Sequence, residues 1–254
     1  MYNNIFDSHA HYDDDSFSED LYELLEALPE KGISGIVNCA TDTDSCRKCA
    51  EISEKYDYVY FAAGIHPHEA EKVNDNFSEE LRAYAKHPKC VAIGEIGLDY
   101  HYDFSPRDIQ KDVFEKQLIL AKELDLPIII HDREAHEDTL NLLRKYNPKG
   151  IVHCFSGSVE MAKDIVKLGM YIGLGGAVTF KNAKKPVEVA SYAPLDRLVL
   201  ETDCPYMTPV PFRGKRNDSS LIAITADFIS ELKSISSQEL LDITAQNCKN
   251  IFGV

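Results

Sequence analysis

A short apolar, β-rich run followed by a longer amphipathic run recurs eight times along the chain. No other feature limits the available folds as much. The expected strands are NIFDSHAH, ISGIVNCA, YVYFAAGIHPH, CVAIGEIGLDY, PIIIHDR, GIVHCFSG, MYIGLGG and RLVLETDCPY. Most of them are continuously apolar, which marks strands buried on both faces, as in a parallel sheet covered by helices. Between them, SFSEDLYELLEALPEKG carries Leu21, Leu24, Leu25 and Leu28 at helical spacing, with Ser16 or Ser18 as expected caps and Gly32 past its end. In SPRDIQKDVFEKQLILAKELDLP, Pro106 follows Ser105 at a first-turn position. SVEMAKDIVKLG closes on Gly169, and the C-terminal stretch reads as two helices that part near Ser236 and Ser237. Eight such units of about 28 residues predict an α/β fold, a (β/α)8 TIM barrel forming one domain over residues 1–254. An open doubly wound sheet would have fewer strands and a glycine-rich phosphate turn, and no GxGxxG or Walker sequence opens a helix here.

Composition narrows the partners. With 42 acidic and 27 basic residues the formal charge is −15, which argues against coating a polyanion over a wide basic surface. Away from the site, the acid excess is expected mainly on the solvated outer helices. No apolar run approaches the roughly 20 residues that span a bilayer, and MYNNIFDSHAHYDDD has no signal-peptide pattern. A cytoplasmic, monomeric protein without membrane contact or organic cofactor is expected. Seven cysteines without framework spacing read as free thiols, and the Cys46–Cys49 pair reads as one face of a helix rather than a zinc site.

The chemistry-bearing residues collect at the strand ends. The first strand closes on His9 and His11, the third on His66 and His68, the fourth on Glu95 and then Asp99. The fifth closes on His131 and Asp132, the sixth on His153 and the eighth on Asp203. Six of the nine histidines thus sit where a barrel gathers its strand ends into one mouth. Residues two apart on a strand share a face, so His9 and His11 can reach one ion together. A lone HxH is more often a buried, hydrogen-bonded pair. The matching Glu95, His131, His153 and Asp203 turn the balance toward metal. Mixed imidazole and carboxylate donors suit zinc, manganese, iron or nickel, and magnesium less readily. Cys154 and Cys204 adjoin these donors and, by strand alternation, are expected to point away.

The motifs FDSHAHYDD, GIHPH, GEIGLDYHYD, PIIIHDREA, HCFSG, ETDCPY and PFRGKRND, in that order, resemble those of the TatD-type deoxyribonucleases, within the amidohydrolase-like metal-dependent barrels. The resemblance covers the chain from about residue 5 onward. It implies two divalent ions, magnesium, manganese or zinc. One would be held by His9, His11, Glu95 and Asp203, the other by His131, His153 and the shared Glu95. It places the substrate-side histidine at His66. It implies a DNA substrate, held near strand ends and cleaved exonucleolytically. The pattern departs after RGKRN, where Asp218-Ser219 replaces the usual Glu-Pro.

Within that picture Asp203 is expected to orient and deprotonate the attacking water, with Glu95 and His66 completing the catalytic set. His66 and His68 are expected on the phosphate, and Arg213, Lys215 and Arg216 as its basic contacts. Lys181, Lys184 and Lys185 are weaker candidates. Asp99, Tyr100 and Asp132 are expected to support the donors. Tryptophan is absent, so base stacking would fall to Tyr, Phe or His. Two alternatives stay open: an amide, ester or lactone hydrolase of the same barrel type, and a non-catalytic nucleic-acid- or protein-binding barrel. Bridging Glu95 and the Arg213 cluster favour phosphodiester chemistry, and an intact donor set has no use in a binding module.

Overall fold

Each continuously apolar run forms a strand, and each strand pairs in parallel with the next. A computed structural model describes residues 2–254. The strands are β1 (Ile5–Ala10), β2 (Ile33–Cys39), β3 (Val59–Ala63), β4 (Cys90–Asp99), β5 (Ile128–Arg133), β6 (Gly150–Val152), β7 (Tyr171–Leu174) and β8 (Leu198–Leu200). The helices are α1 (Leu21–Ala27), α2 (Thr43–Lys55), α3 (Phe77–Tyr84), α4 (Arg107–Leu124), α5 (His136–Tyr146), α6 (Val159–Lys167), α7 (Lys184–Tyr192), α8 (Ile222–Lys233) and α9 (Ser237–Phe252). The sheet runs β1 through β8 in order, and a bridge between Ala10 and Cys204 brings its two ends together. This is the (β/α)8 barrel that the repeat predicts.

The core has two layers, one on each side of the sheet. Outside, residues such as Ile36, Phe61, Ile130 and Leu200 meet the helices. Inside, Phe6, Val37, Ala62, Ile129, Ile151 and Val199 fill the lumen, joined by Ala245, Cys248 and Phe252 of α9. α9 packs on the seam between β1 and β8, where its side chains join the lumen layer, and the C-terminal ends of the strands are left for the site.

Local structure corrects several boundaries. α1 begins at Leu21 after Asp20, and neither Ser16 nor Ser18 caps it, because Asp14–Ser18 form a separate 3-10 turn capped by Asp14. Pro106 is the N-cap of α4 rather than a residue of its first turn. Ser105 instead donates to the His68 carbonyl and accepts from Glu71 N–H. α6 stops before Gly169, and α9 is capped by the Ser236 hydroxyl, which accepts from Glu239 N–H. Cys46 and Cys49 are buried on one face of α2.

Two bulges decide which side chains enter the mouth. On β1, the four residues from Asp7 to Ala10 oppose three on β2. On β4, the four from Ile93 to Ile96 oppose three on β5. Each extra residue shifts the inward face by one position. Phe6 is inward, and the bulge makes His9 the next inward donor. Glu95 is turned in by the second bulge, while Ile96 and Leu98 pack outward.

The seam between β1 and β8 is held by buried Asp7. Its Oδ1 accepts from His9 N–H and Thr202 N–H, and its Oδ2 from the hydroxyls of Thr202 and Ser219. Burial pushes its carboxyl up to about 7 despite these four bonds. Asp7→Ala leaves the donors unpaired and is expected to cost about 3 kcal/mol in denaturant unfolding, with Asp7→Asn recovering more than half. A raised folded pKa means that the native state holds this proton more tightly. Its contribution is full below about pH 4 and fades as the pH rises through about 7. Asp7→Asn should therefore gain on wild type from pH 5 to pH 8. A constant difference would remove this account.

Candidate metal centre

Above the lumen layer, the strand ends enclose a cavity of about 920 Å³. Five of the six expected donors line its floor, and His9 is buried directly behind them. Glu95 Oε1 lies 2.8 Å from His131 Nδ1, 2.8 Å from His153 Nε2 and 3.6 Å from His66 Nε2. Its Oε2 lies 3.4 Å from both His9 Nε2 and His11 Nε2. Asp203 Oδ1 completes the second half, 3.4 Å from His11 Nε2 and 3.7 Å from His9 Nε2. One carboxylate thus faces a histidine group with each oxygen. Donor atoms within 4.8 Å of one another form three overlapping sets: His9–Glu95–His153, His9–His11–Asp203 and His66–Glu95–His131.

The outer hydrogen bonds set the tautomers. His11 Nδ1 lies 2.8 Å from the Cys39 carbonyl, which can only accept, so the lone pair of His11 is on Nε2 and faces the site. His131 Nε2 lies 3.3 Å from Asp99 Oδ2, which leaves the Nδ1 lone pair toward Glu95 and His153. His66 is the reverse case. Its Nδ1 accepts from His68 N–H, so in the neutral ring Nε2 carries the proton and aims it at Glu95. Burial pushes His66 well below the ordinary histidine range and keeps it neutral. His66 is thus built as a neutral donor, unlike its neighbours.

These side chains fit a divalent cation. His9 Nε2 and His11 Nε2 sit 3.0 Å apart, and His131 Nδ1 sits 3.3 Å from His153 Nε2. Each pair contains a lone pair, on His11 and on His131, that a cation or a proton on the partner ring must meet. Burial opposes charge on Glu95, but His153, His66 and His9 outweigh it and hold the carboxyl well below its usual range. Asp203 is also lowered, against burial, chiefly by His11 and then His153. Both carboxylates are therefore anionic at neutral pH.

Two site residues escaped the sequence reading. Glu201 is buried beneath the cavity, its Oε1 accepting from Cys154 N–H at 2.5 Å and lying 3.6 Å from His153 Nδ1. Its Oε2 has no protein partner among the described residues. The signal was parity: Glu201 is two residues beyond inward Val199. Gly173 makes room for it, since a Cβ there would stand 2.4 Å from Glu201 Oε2. The second residue is Arg133, which closes β5 and lines the cavity.

Other expected contacts are placed differently. His68 lines the cavity, with Nε2 2.8 Å from Asp99 Oδ2. Asp132 holds His136 at 2.7 Å. Tyr100 donates to Asp138, away from the donors. Cys154 lines the cavity instead of pointing away, because β6 ends at Val152 and Cys154 takes a φ of 41° that breaks the alternation. Cys204 is buried, as expected. Arg216 is engaged by Asp20 through both oxygens, at 2.7 and 2.5 Å, and by the Ser16 carbonyl, so its charge is met in place. Arg213 lies 3.7 Å over the Phe180 ring, and Lys215 lies over Phe212. None of these three lines the cavity.

The acid excess also reaches the mouth. Asp13, Asp14, Asp15, Asp42, Asp44 and Glu69 line its β1–β3 side, against Lys48 and Arg133 as the cavity's basic residues. No helix among the described residues is long and apolar enough to cross a membrane.

A barrel with two histidine groups sharing one carboxylate at its C-terminal mouth carries the donor set of a metal-dependent hydrolase. A family profile described as TatD related DNase matches residues 6–253, and the chain belongs to this TatD family of metal-dependent hydrolases. Among its relatives is the metal-dependent hydrolase YabD of Bacillus subtilis strain 168, 45% identical over 253 residues, covering 98% of this chain and 99% of that one. The crystal structure of YjjV, a TatD homologue from Escherichia coli K12, superposes with a TM-score of 0.94 at 33% identity over the full length of both chains. That of a TatD family hydrolase from Entamoeba histolytica gives 0.88 at 27% identity over 99% of each.

Protein stripped with EDTA and then given zinc or manganese should melt higher. A ligand present at 100 times its Kd adds about 2.7 kcal/mol. Glu95→Gln touches both halves and should remove most of this gain, whereas Asp203→Asn should remove only part. Equal gains in wild type and Glu95→Gln would place the ions elsewhere.

Proposed function

We propose that this protein is a metal-dependent deoxyribonuclease that hydrolyses phosphodiester bonds at DNA strand ends. The observation that carries the reading is the split of Glu95 between two histidine groups, with a neutral His66 donor beside it. His9, His11, Glu95 and Asp203 would hold one divalent ion, and His131, His153 and Glu95 a second. Such ions, when bound, supply Lewis-acid polarisation of phosphoryl oxygens and a water that ionises near neutral pH.

The chain's own groups do the rest. Asp203 lines the cavity, with its side chain 18% exposed, and is the carboxylate placed to orient the attacking water and accept its proton. His66 offers Nε2–H to a phosphoryl or leaving oxygen. Asp99 fixes His131 and His68 together through Oδ2. Glu201 supports the His153 segment from below. Arg213 and Lys215 stand outside the cavity as contacts for phosphates further along a strand.

Membership of a family described as TatD related DNase supports the substrate class. The acidic β1–β3 wall favours a second reading, hydrolysis of an uncharged amide, ester or lactone. A panel of single-stranded, nicked and duplex DNA with magnesium, manganese or EDTA separates the two. Metal-dependent release of nucleotides from ends is expected; inert DNA with ester or lactone turnover would overturn the proposal. Asp203→Asn and His66→Gln should each lower kcat at least about 100-fold. Near-normal turnover in either variant would remove that residue from its role.

The basic residues give a separate forecast. Arg213→Ala and Lys215→Ala should each reduce the salt slope of DNA binding by about one. Arg216→Ala should leave the slope unchanged and lower stability by no more than about 1 kcal/mol. The reverse pattern would place the phosphate contact at Arg216.

A further inference from the structure

Two large rings stand exposed beside the metal donors with no role in the core. Tyr102 and Phe104 follow β4 and are 47% and 64% exposed, Phe104 being the most exposed large apolar side chain among the described residues. Their rings stack at 5.2 Å between centroids and 19° between planes. We propose that Tyr102, Phe104 and Arg133 form a platform on which the base next to the scissile phosphate stacks, an assignment that rests on the deoxyribonuclease reading.

Continuity with the donors is the first support. The His131 ring lies 4.5 Å from His66, His66 lies 4.3 Å from His68, and His68 lies 4.8 Å from Phe104 and 5.5 Å from Tyr102. An unbroken row of rings thus leads from the donors to the exposed pair.

Rigidity is the second. Asp99 Oδ2 meets His131 and His68, while its Oδ1 accepts from His101 N–H and Tyr102 N–H, each at 2.9 Å. One buried carboxylate therefore ties the platform loop to a metal donor. A stacking surface held in this way positions a base relative to the bond that breaks.

Charge is the third. The β1–β3 side of the mouth is acidic and repels a phosphate backbone. Arg133 stands on the other side, its guanidinium 4.7 Å from the Tyr102 ring centre, with no carboxylate within ion-pair distance among the described residues. Exposed Asp103 and Glu134 on this side are engaged by Arg107 and His101, which leaves the Arg133 charge to meet a phosphate beside the rings. Stacking tolerates any base because every base has a flat π-face, which suits an enzyme that must shorten strands of arbitrary sequence. The other exposed ring that lines the cavity, Tyr206, donates its hydroxyl to Asp14 on the acidic side.

The test compares cleavage of a single-stranded oligonucleotide with that of the same strand made abasic at the terminal nucleotides, using metal-loaded enzyme. Tyr102→Ala and Phe104→Ala should each raise KM for the normal strand about tenfold and leave the abasic strand unchanged. Phe104→Trp should restore the wild-type KM. In an Asp203→Asn background, a terminal 2-aminopurine should lose fluorescence on binding, and Phe104→Ala should abolish that quenching. Both residues are exposed, so loss of folding does not confuse the result. Wild-type enzyme that cleaves DNA, with the ring variants matching it in KM and quenching, would overturn the platform alone. Wild type inert on all DNA would overturn the nuclease reading and the platform with it. Loss of a dimer in the ring variants, with DNA kinetics unchanged, would assign the rings to self-association instead.

Discussion

Glu95 is the point on which this structure turns. A single buried carboxylate reaches His9 and His11 with one oxygen and His131, His153 and His66 with the other. Its charge is expensive to bury and is sustained only because so many imidazoles surround it. Those imidazoles come from β1, β5, the turn after β3 and the residue after β6, so the carboxylate also holds the strand ends in mutual register. Asp99 and Asp7 repeat the pattern at smaller scale. Asp99 couples His131 to the β4 loop, and Asp7 couples β1 to the chain that follows β8.

The charge distribution gives the mouth a direction. Acidic loops after β1, β2 and β3 form one side, and Arg133 with the Tyr102–Phe104 pair forms another. A net charge of −15 excludes a broad DNA footprint but not a short one. Cations bound at the floor would reverse the sign locally, so the field met by a phosphate depends on metal loading. Arg216 illustrates how a basic residue in a promising loop can have another task. It clamps the loop after β8 to Asp20 and lies over Phe17.

Much of this was legible because the signals were local or periodic. Continuous apolar runs gave eight strands, and helical spacing with Ser, Gly and Pro punctuation gave most helices. Histidines and carboxylates clustered at strand ends, and the seven ordered motifs named the family. What escaped depends on where strands end and how they are offset. Alternation failed at Cys154 because β6 stops two residues earlier, a boundary set by pairing with β7 rather than by composition. Glu201 was overlooked beside Asp203, although its parity with Val199 pointed inward. Ser16 and Ser18 looked like caps, but Asp14 nucleates its own 3-10 turn first.

By itself, then, the amino-acid order determined the repeat, the barrel and the set of donors, because burial on both faces and two-residue alternation are written into consecutive positions. Only the tertiary structure decided how those donors face one another. The bulges in β1 and β4 turn His9 and Glu95 inward, and each is defined by residues on a neighbouring strand. The tautomers of His11, His131 and His66 depend on partners that are near neighbours in the chain only for His66. Hydrogen bonding and charge act across space, so groups far apart in sequence settle their protons, their pairing and their roles only once the barrel has closed.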